Sequence, residues 1–330
     1  MSGQTFPFSQ ELTVTTIDCQ YFQPEYAASY LLTSKNEAAF VDTNTSKSVP
    51  LLLAELKKLQ ISPEAVKYLL ITHIHLDHSG GTAELLKHLP NAKVVCHPRA
   101  RRHLEDPSRL IASSISVYGQ TQFETLYGQI LPIASDRIID GEDLAILPLG
   151  SSPFQILQTR GHANHHICFW FTKEKILFSG DAFGVAYPVL QKNGVACLPS
   201  TSPADFDGPA ALATVERLVG LTPKCIYPTH FGPITKIHEC ADQLRKLLHF
   251  SQELYEKTRA ALNENRALDQ AATQMQIQAD LTAKVLTLFS NEPATANPQS
   301  SAAILALLEN DLRLNAQGLL VAAIKSVDKN

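Results

Sequence analysis

The sequence predicts an α/β fold with two β-sheets, helices outside them and a helical appendage. Over the first 240 residues, short apolar and β-branched segments alternate with segments of helical spacing. This order, strand-rich and then βαβ-like, occurs twice, which indicates two related halves. After residue 240 few strand patterns remain. We therefore expect a main domain over residues 1–240 and a helical C-terminal extension over residues 241–330.

The individual elements follow from apolar spacing. The first half contains predicted strands in LTVTTID, YAASYLLTS, AAFVD, VKYLLIT and AKVVCH, and predicted helices in SVPLLLAELKKL and GGTAELLKHL. Residues 99–131 have a helical pattern. The second half contains strands in FQILQT, HICFWF, KILFSG and KCIYPT, and a helix in GPAALATVERLVG. In the extension, residues 263–265 mark a break, and Gly318 is a candidate helix C-cap.

Composition narrows the classes of protein. The net charge is −4 and the pI is near 6.3, so a nucleic-acid partner is not expected. Apolar residues make up 45%, yet no segment is apolar enough to span a bilayer. The six cysteines include no CxxC pair, and the N-terminal segment has no apolar signal. These features predict a cytoplasmic protein with reduced thiols and a small-molecule partner, and they leave a homodimer open.

One short stretch, ITHIHLDHSGG, concentrates polar side chains that bind metals. It contains His73, His75, Asp77 and His78 directly after a predicted buried strand. A strand alternates its faces, so the first two histidines point the same way. Imidazole and carboxylate groups suit zinc, and also iron or manganese. The alternative is a solvated polar loop.

Three later segments repeat this arrangement and favour the metal site. His162 follows the predicted strand FQILQT, Asp181 follows KILF, and His230 follows KCIYP. Each ligand-type residue comes after an apolar strand and lies near a glycine or another turn former. Functional sites collect at such strand ends in layered folds.

With these motifs, the chain resembles the metallo-β-lactamase superfamily over about residues 21–236. The resemblance implies an αββα sandwich over residues 1–240 that is the catalytic domain, with the extension capping or flanking the active site. It also implies two divalent metal ions, zinc first. The implied ligands are His73, His75 and His162 for one metal, Asp77, His78 and His230 for the other, and Asp181 as the bridge.

Two further residues match supporting positions of the superfamily. Asp42, in AAFVDT, matches an acidic residue that supports the site from behind. His166 matches the second histidine of the GHxxxH pattern, which usually supports the site without binding metal. His165 lies beside it and is a weaker candidate for the same role.

The resemblance implies a hydrolase in which two metals share a hydroxide that attacks a carbonyl or phosphorus. Asp77 is the expected catalytic residue, because its carboxylate can orient the nucleophile or pass a proton to the leaving group. Within the superfamily, the sequence is most similar to the branch that contains glyoxalase II, lactonases and acyl-thioesterases. Its GHxxxH and SGDAF motifs and its additional C-terminal helices are similar to those of metallo-hydrolases related to a quinolone-signalling thioesterase. A thioester or related acyl compound is therefore the expected substrate.

Other functions stay open at this point. A phosphodiesterase or ribonuclease is kept open by the basic segment HPRARRH, residues 97–103, which is otherwise a solvated helix face. A lactonase, a mononuclear-iron sulfur dioxygenase of the same fold and a regulatory binding protein are also compatible with the residues. The sequence alone gives neither the substrate nor the metal.

Overall fold

The computed structural model describes residues 4–7, 11–201, 205–289 and 298–328. The chain separates into two compact units that interleave along the sequence. Unit 1 comprises Met1–Gln158, His165–Gly180 and Pro223–Thr235, and unit 2 comprises Thr159–Asn164, Asp181–Thr222 and Lys236–Asn330. The division at residue 240 into a catalytic domain and an extension stays a prediction, because compactness does not report activity.

Unit 1 contains a seven-stranded sheet whose strands follow chain order. Neighbouring strands are antiparallel from β1 to β4 and parallel from β4 to β7. The strands are β1 Gln4–Pro7, β2 Thr13–Asp18, β3 Ala28–Ser34, β4 Glu37–Val41, β5 Val66–Leu70, β6 Lys93–Cys96 and β7 Ile138–Asp140. The edge strands β1 and β7 are too short for periodicity to have predicted them.

The second sheet of unit 1 has five strands in the order β12-β11-β10-β9-β8. Its strands are β8 Ile146–Leu147, β9 Phe154–Thr159, β10 His166–Phe171, β11 Ile176–Gly180 and β12 Cys225–Pro228. One apolar core joins both sheets, with Tyr30 and Leu32 of the first sheet packed among Phe154, Phe169 and Phe178 of the second. The two sheets therefore form a sandwich.

Helices cover the other face of the seven-stranded sheet. Phe40 on β4 and Leu69 on β5 point to this face and share a buried cluster with Leu52 and Leu85. The strands are buried on both faces, which is why they read as continuous apolar runs. The helices of unit 1 are α1 Val49–Lys58, α2 Leu76–Ser79, α3 Thr82–Leu86, α4 Pro98–Glu105, α5 Ser108–Tyr118 and α6 Gln120–Leu126.

The basic segment 97–103 has a structural use within unit 1. Arg101 on α4 donates to the Asp140 carboxylate at 2.8 Å and to the Ile138 carbonyl at 2.9 Å. Its guanidinium therefore joins α4 to β7, which favours the interpretation of this segment as a helix face. The helical pattern predicted for residues 99–131 resolves into three helices that end at Leu126.

Unit 2 is mainly helical. Its helices are α7 Gly208–Gly220, α8 Ile237–Glu264, α9 Gln270–Phe289 and α10 Pro298–Asp328. The break at residues 263–265 is confirmed, because α8 ends at Glu264. The prediction of a helix C-cap at Gly318 is wrong, since α10 continues to Asp328. Buried Leu319, Ala323 and Val327 hold the helix beyond the glycine, and packing of this kind outweighs the low helix propensity of one residue.

Within the described ranges, no helix has an apolar stretch that would cross a bilayer.

Candidate metal centre

The first two histidines of the cluster come together at the end of β5. The strand ends at Leu70, and the chain continues through His73 and His75 into α2. The Nε2 atom of His73 lies 2.9 Å from the Nδ1 atom of His75, and the ring centroids are 4.4 Å apart. Two nitrogens bound to one tetrahedral zinc would be about 3.3 Å apart. The pair therefore converges as two ligands of one ion do.

A second group consists of Asp77 and His78 from α2 and His230, which follows β12. The Asp77 carboxylate lies 3.3 Å from His230 Nε2 and 3.8 Å from His78 Nε2. One ligand atom from each of the three residues lies within 4.8 Å of the others. Three donors at this spacing can hold a metal ion, and unit 1 alone supplies all of them.

The electrostatics of this triplet favour an ionised carboxylate. Burial opposes ionisation of Asp77, but the neighbouring His78 and His230 outweigh it and hold the pKa of the Asp77 carboxyl well below its usual range. The Asp77 side chain is 21% exposed, whereas that of His78 is fully buried. Asp77 is therefore the member of the triplet that solvent reaches most easily.

Asp42 lies behind His78 at the centre of a buried network. His78 Nδ1 donates to Asp42 Oδ2 at 2.8 Å, so the Nε2 atom of His78 faces Asp77. The hydroxyls of Thr72 and Thr229 donate to the same oxygen at 2.8 and 2.7 Å. Thr72 N donates to Asp42 Oδ1 at 2.8 Å. A carboxylate with four donors fixes the ring of a ligand histidine in one orientation.

The other histidines are oriented by backbone carbonyls. His230 Nδ1 donates to the Tyr26 carbonyl at 2.9 Å, which turns its Nε2 toward Asp77. In unit 2, His162 Nδ1 donates to the Ser200 carbonyl at 3.1 Å. In each case the carbonyl holds Nδ1, and Nε2 can bind a metal when it carries no proton.

Unit 2 holds the two remaining ligand-type residues beside each other. His162 Nε2 lies 3.6 Å from Asp181 Oδ2, and both side chains are buried. They line a cavity of about 20 Å³. This volume suits a single water or ion. Along the chain, His162 lies in the loop between β9 and β10, and Asp181 directly follows β11.

The backbone at Gly180 lies very close to the side chains of Thr72 and His166 in unit 1. Its φ is +50°, in the left-handed region that favours glycine. A Cβ at this position would lie 2.7 Å from the Thr72 side chain and 2.7 Å from His166 Nε2. The glycine before Asp181 is therefore required by the space that Thr72 and His166 occupy.

His165 and His166 lie beside the first histidine pair. The His166 and His165 rings both stack on the His73 ring, with ring centroids 5.0 Å and 6.2 Å from that of His73. His166 opens β10 and is buried. This placement suits packing that limits the movement of the His73 ring.

Sequence reasoning missed the two threonines that bind Asp42. Thr72 and Thr229 each directly precede a ligand-type histidine at the end of a strand. The repeated Thr-His dipeptide was the available signal.

The candidate metal ligands in both units are imidazole nitrogens and carboxylate oxygens. The rings of His78, His162 and His230 are oriented by hydrogen bonds from Nδ1 to a carboxylate or a backbone carbonyl. This set fits a divalent ion such as zinc, and equally iron or manganese. The structure therefore contains clusters of histidine and aspartate that can bind metal ions.

Comparison with known proteins agrees with this chemistry. The family model described as the metallo-beta-lactamase superfamily matches residues 23–230. A metallo-beta-lactamase fold-containing protein of Sulfurisphaera tokodaii is 27% identical over 230 residues, which cover 68% of this chain and 80% of that protein.

Several relatives have the names of enzymes. A hydroxyacylglutathione hydrolase of Francisella tularensis subsp. novicida is 32% identical over 46% of this chain and 45% of that protein. An atrochrysone carboxyl ACP thioesterase of Aspergillus chevalieri is 26% identical over 52% of this chain and 46% of that protein. The chain thus spans less than half of the length of both enzymes.

Solved structures support the fold. A metallo-beta-lactamase superfamily protein from Sulfolobus tokodaii superposes with a TM-score of 0.61 at 21% identity, covering 93% of this chain and 97% of that one. A metallo-beta-lactamase family protein from Thermus thermophilus gives a TM-score of 0.54 at 21% identity, covering 94% and 91%. The predicted αββα fold class with C-terminal helices is confirmed.

Proposed function

Because the chain belongs to the metallo-β-lactamase superfamily, we propose that it is a metal-dependent hydrolase of acyl thioesters or related acyl compounds. One observation carries the proposal. One ligand atom from each of Asp77, His78 and His230 lies within 4.8 Å of the others, and the Nδ1 atom of each histidine is hydrogen-bonded to a fixed acceptor. Such preorganisation serves a bound ion and has little use in a solvated loop.

We extend the ligand set to both units. The proposed ligands are His73, His75 and His162 for one ion, Asp77, His78 and His230 for the other, and Asp181 as the bridge. The covalent chain supports this grouping, because His162 and Asp181 follow strands of the same five-stranded sheet whose last strand precedes His230. The family model also spans all seven residues.

Two divalent ions supply, when bound, an activated water and a Lewis acid for the attacked carbonyl. The protein supplies orientation and proton transfer. Asp77 is ionised at neutral pH and partly exposed, so its carboxylate can hold a water by hydrogen bond and accept a proton from it. His78 is clamped by Asp42 and keeps its ring fixed during this transfer.

The substrate class follows from the leaving group. Outside the ligand histidines, Asp77 is the acid–base group that we assign to the site. A thiolate leaves without a strong acid, whereas an alkoxide or amine needs one. The names of two relatives, a hydroxyacylglutathione hydrolase and an ACP thioesterase, also support a thioester substrate. We propose a small-molecule thioester and no nucleic-acid substrate, in agreement with the net charge of −4.

The test combines metal analysis with a substrate panel. Protein stripped with chelator and reloaded should bind close to two divalent ions per chain and regain hydrolysis of an acyl thioester. Asp77→Asn should lower kcat/KM by about a hundredfold or more, which corresponds to about 2.7 kcal/mol. The matched control Asp136→Asn changes an exposed aspartate and should keep wild-type activity.

Two results would overturn the proposal. One is full activity at a stable content of one iron, which would favour a dioxygenase. The other is a hundredfold preference for a phosphodiester over thioesters, which would favour a phosphodiesterase.

A further inference from the structure

A short backbone segment of unit 2, residues 199–201, contacts both His162 and helix α10. Its central carbonyl, that of Ser200, accepts the hydrogen bond from His162 Nδ1 at 3.1 Å. Pro199 and Ser200 also line the small cavity that His162 and Asp181 share. The position of this segment therefore determines how the His162 ring is oriented.

Asn315 of α10 is bonded to this segment through its side chain and its backbone. Its Oδ1 atom accepts from Thr201 N at 2.7 Å, and its Nδ2 atom donates to the Pro199 carbonyl at 2.9 Å. The Thr201 hydroxyl donates to the Asn315 carbonyl at 3.1 Å. Asn315 is 4% exposed and Thr201 is fully buried, so these hydrogen bonds are shielded from water.

The peptide unit between Ser200 and Thr201 connects Asn315 to His162. The Ser200 carbonyl and the Thr201 N–H belong to this one planar, trans unit and point in opposite directions. His162 is bonded to one side of the unit, and Asn315 is bonded to the other. Rotation of the peptide that moves the carbonyl away from His162 also breaks the hydrogen bond from Thr201 N. Asn315 therefore limits the movement of the acceptor that orients His162.

The start of the segment is held from its other side by the loop that follows Asp181. Val185 N donates to the Leu198 carbonyl at 2.8 Å, and Leu198 N donates to the Val185 carbonyl at 3.0 Å. A Cβ added at Gly184 would lie 2.5 Å from the Leu198 carbonyl oxygen. The loop thus fixes residue 198, and the Asn315 bonds fix the residues after it.

Packing alone does not require an asparagine at position 315. Leu312 and Leu319 lie about one helical turn before and after Asn315 on the same face of α10, and both are buried. A leucine at this position would match them and would avoid the cost of burying an amide. Both polar atoms of the Asn315 amide are instead bonded to the backbone of residues 199–201. The amide thus fixes the segment rather than the helix.

We propose that Asn315 is a positioning residue for the candidate metal ligand His162 and acts through the Ser200–Thr201 peptide. The inference rests on the proposed function, which assigns His162 to one of two ions, and it deepens that assignment. Helix α10 then supports a metal ligand, so the C-terminal extension contributes to metal binding itself.

The test is competition with a metal indicator on full-length protein that has been stripped with chelator and reloaded. Asn315→Leu fills the space without the amide, and Asn315→Ala leaves the space empty. Each should lower the affinity for one ion about tenfold, as expected for lost support of a ligand histidine. The other ion should be unaffected, and His162→Ala should weaken the same ion as the Asn315 variants.

One conservative variant and two controls separate positioning from stability. Asn315→Asp keeps an acceptor for Thr201 N and should recover the affinity to within about threefold of the wild type. Leu319→Ala weakens the packing of α10 and keeps the Asn315 amide, so it should lower the urea midpoint and leave both affinities unchanged. Asn310→Ala removes an asparagine of α10 that is bonded to Arg313, and it should change neither affinity.

Nuclear magnetic resonance of the metal-free protein supplies a readout that needs neither metal nor turnover. Long-range proton–nitrogen correlation spectra show which ring nitrogen of a neutral histidine carries the proton, and His162→Gln identifies the His162 signals. At about pH 8 the wild type should carry this proton on Nδ1, whereas Asn315→Leu should show both tautomers.

An unchanged His162 tautomer, or unchanged affinity for both ions in folded Asn315→Leu, would overturn the inference. If the wild type binds no metal, the proposed function fails, and the comparison of tautomers still decides whether Asn315 positions His162.

Discussion

Two polar clusters of unit 1 adjoin the Asp77–His78–His230 triplet and differ in construction. The first, which we name the Asp42 network, consists of Asp42, Thr72, His78 and Thr229. Its residues are at most 1% exposed, and the hydrogen bonds that Asp42 Oδ2 accepts are 2.7 to 2.8 Å long. The second, which we name the phenol chain, consists of Tyr21, Tyr127 and Tyr118. The hydroxyls of Tyr21 and Tyr127 are 2.9 Å apart, the Tyr118 ring lies 5.6 Å from the Tyr127 ring, and Tyr118 is partly exposed.

The difference in hydrogen-bond strength between the two clusters indicates different roles. Charge-assisted bonds in a dry interior are strong and hold one geometry, which suits a ligand that must not rotate. Hydrogen bonds between neutral phenols are weaker and tolerate adjustment. We therefore expect changes in the Asp42 network to alter both metal binding and stability, and changes in the phenol chain to alter stability without altering metal binding.

The largest effect is expected for Asp42→Ala. The change leaves the buried donors of Thr72, His78 and Thr229 without their acceptor. Breaking a buried charged network costs about 3–5 kcal/mol, and losing the support of a ligand histidine lowers metal affinity about 10–100-fold. Urea unfolding and competition with a metal indicator measure these two quantities. Wild-type metal affinity in a folded Asp42→Ala protein would show that the network does not orient His78.

Gly180→Ala should have an intermediate effect. The new Cβ would meet Thr72 and His166 at 2.7 Å, and the residue would keep a φ of +50°. Such strain costs about 1–3 kcal/mol, and the displaced Thr72 should loosen Asp42.

The matched control for this change is Gly220→Ala in α7, where nothing lies within 4 Å of the new Cβ. This control should be neutral or stabilising by about 0.5–1 kcal/mol, since alanine favours helix. Unfolding midpoints of both variants give the comparison. Equal midpoints would remove the steric argument for Gly180.

The smallest effect on stability is expected for Tyr127→Phe, and it depends on pH. At pH 8 the loss of one buried hydrogen bond costs about 1 kcal/mol. The folded pKa of Tyr127 lies above the unfolded value near 10. The phenol's contribution is therefore complete below about pH 10 and is lost as the pH rises further.

Urea unfolding at pH 8 and pH 11 tests this behaviour. The stability gap between wild type and Tyr127→Phe should shrink at pH 11, while the metal content at pH 8 stays at the wild-type value. A lowered metal content would assign the phenol chain to ligand support and remove the contrast with the Asp42 network.

The sequence by itself determined the fold class and the local placement of the candidate ligands. Apolar periodicity predicted β5, β9, β11 and β12, and each ligand-type residue was read as following one of them. These features are local, because an apolar strand and its first turn are encoded within about ten residues. The repeated Thr-His dipeptide is equally local, so it could have predicted that Thr72 and Thr229 have equivalent positions at the site.

Only the tertiary structure decided which distant groups meet. Tyr21 and Tyr127 are 106 residues apart, and Thr229 reaches Asp42 across 187 residues. Gly318 reads locally as a helix end, yet packing carries α10 past it. Periodicity reports which face of an element is buried and says nothing about which other element covers that face. The oriented His78, the phenol chain and the continued helix therefore depend on packing that no local pattern encodes.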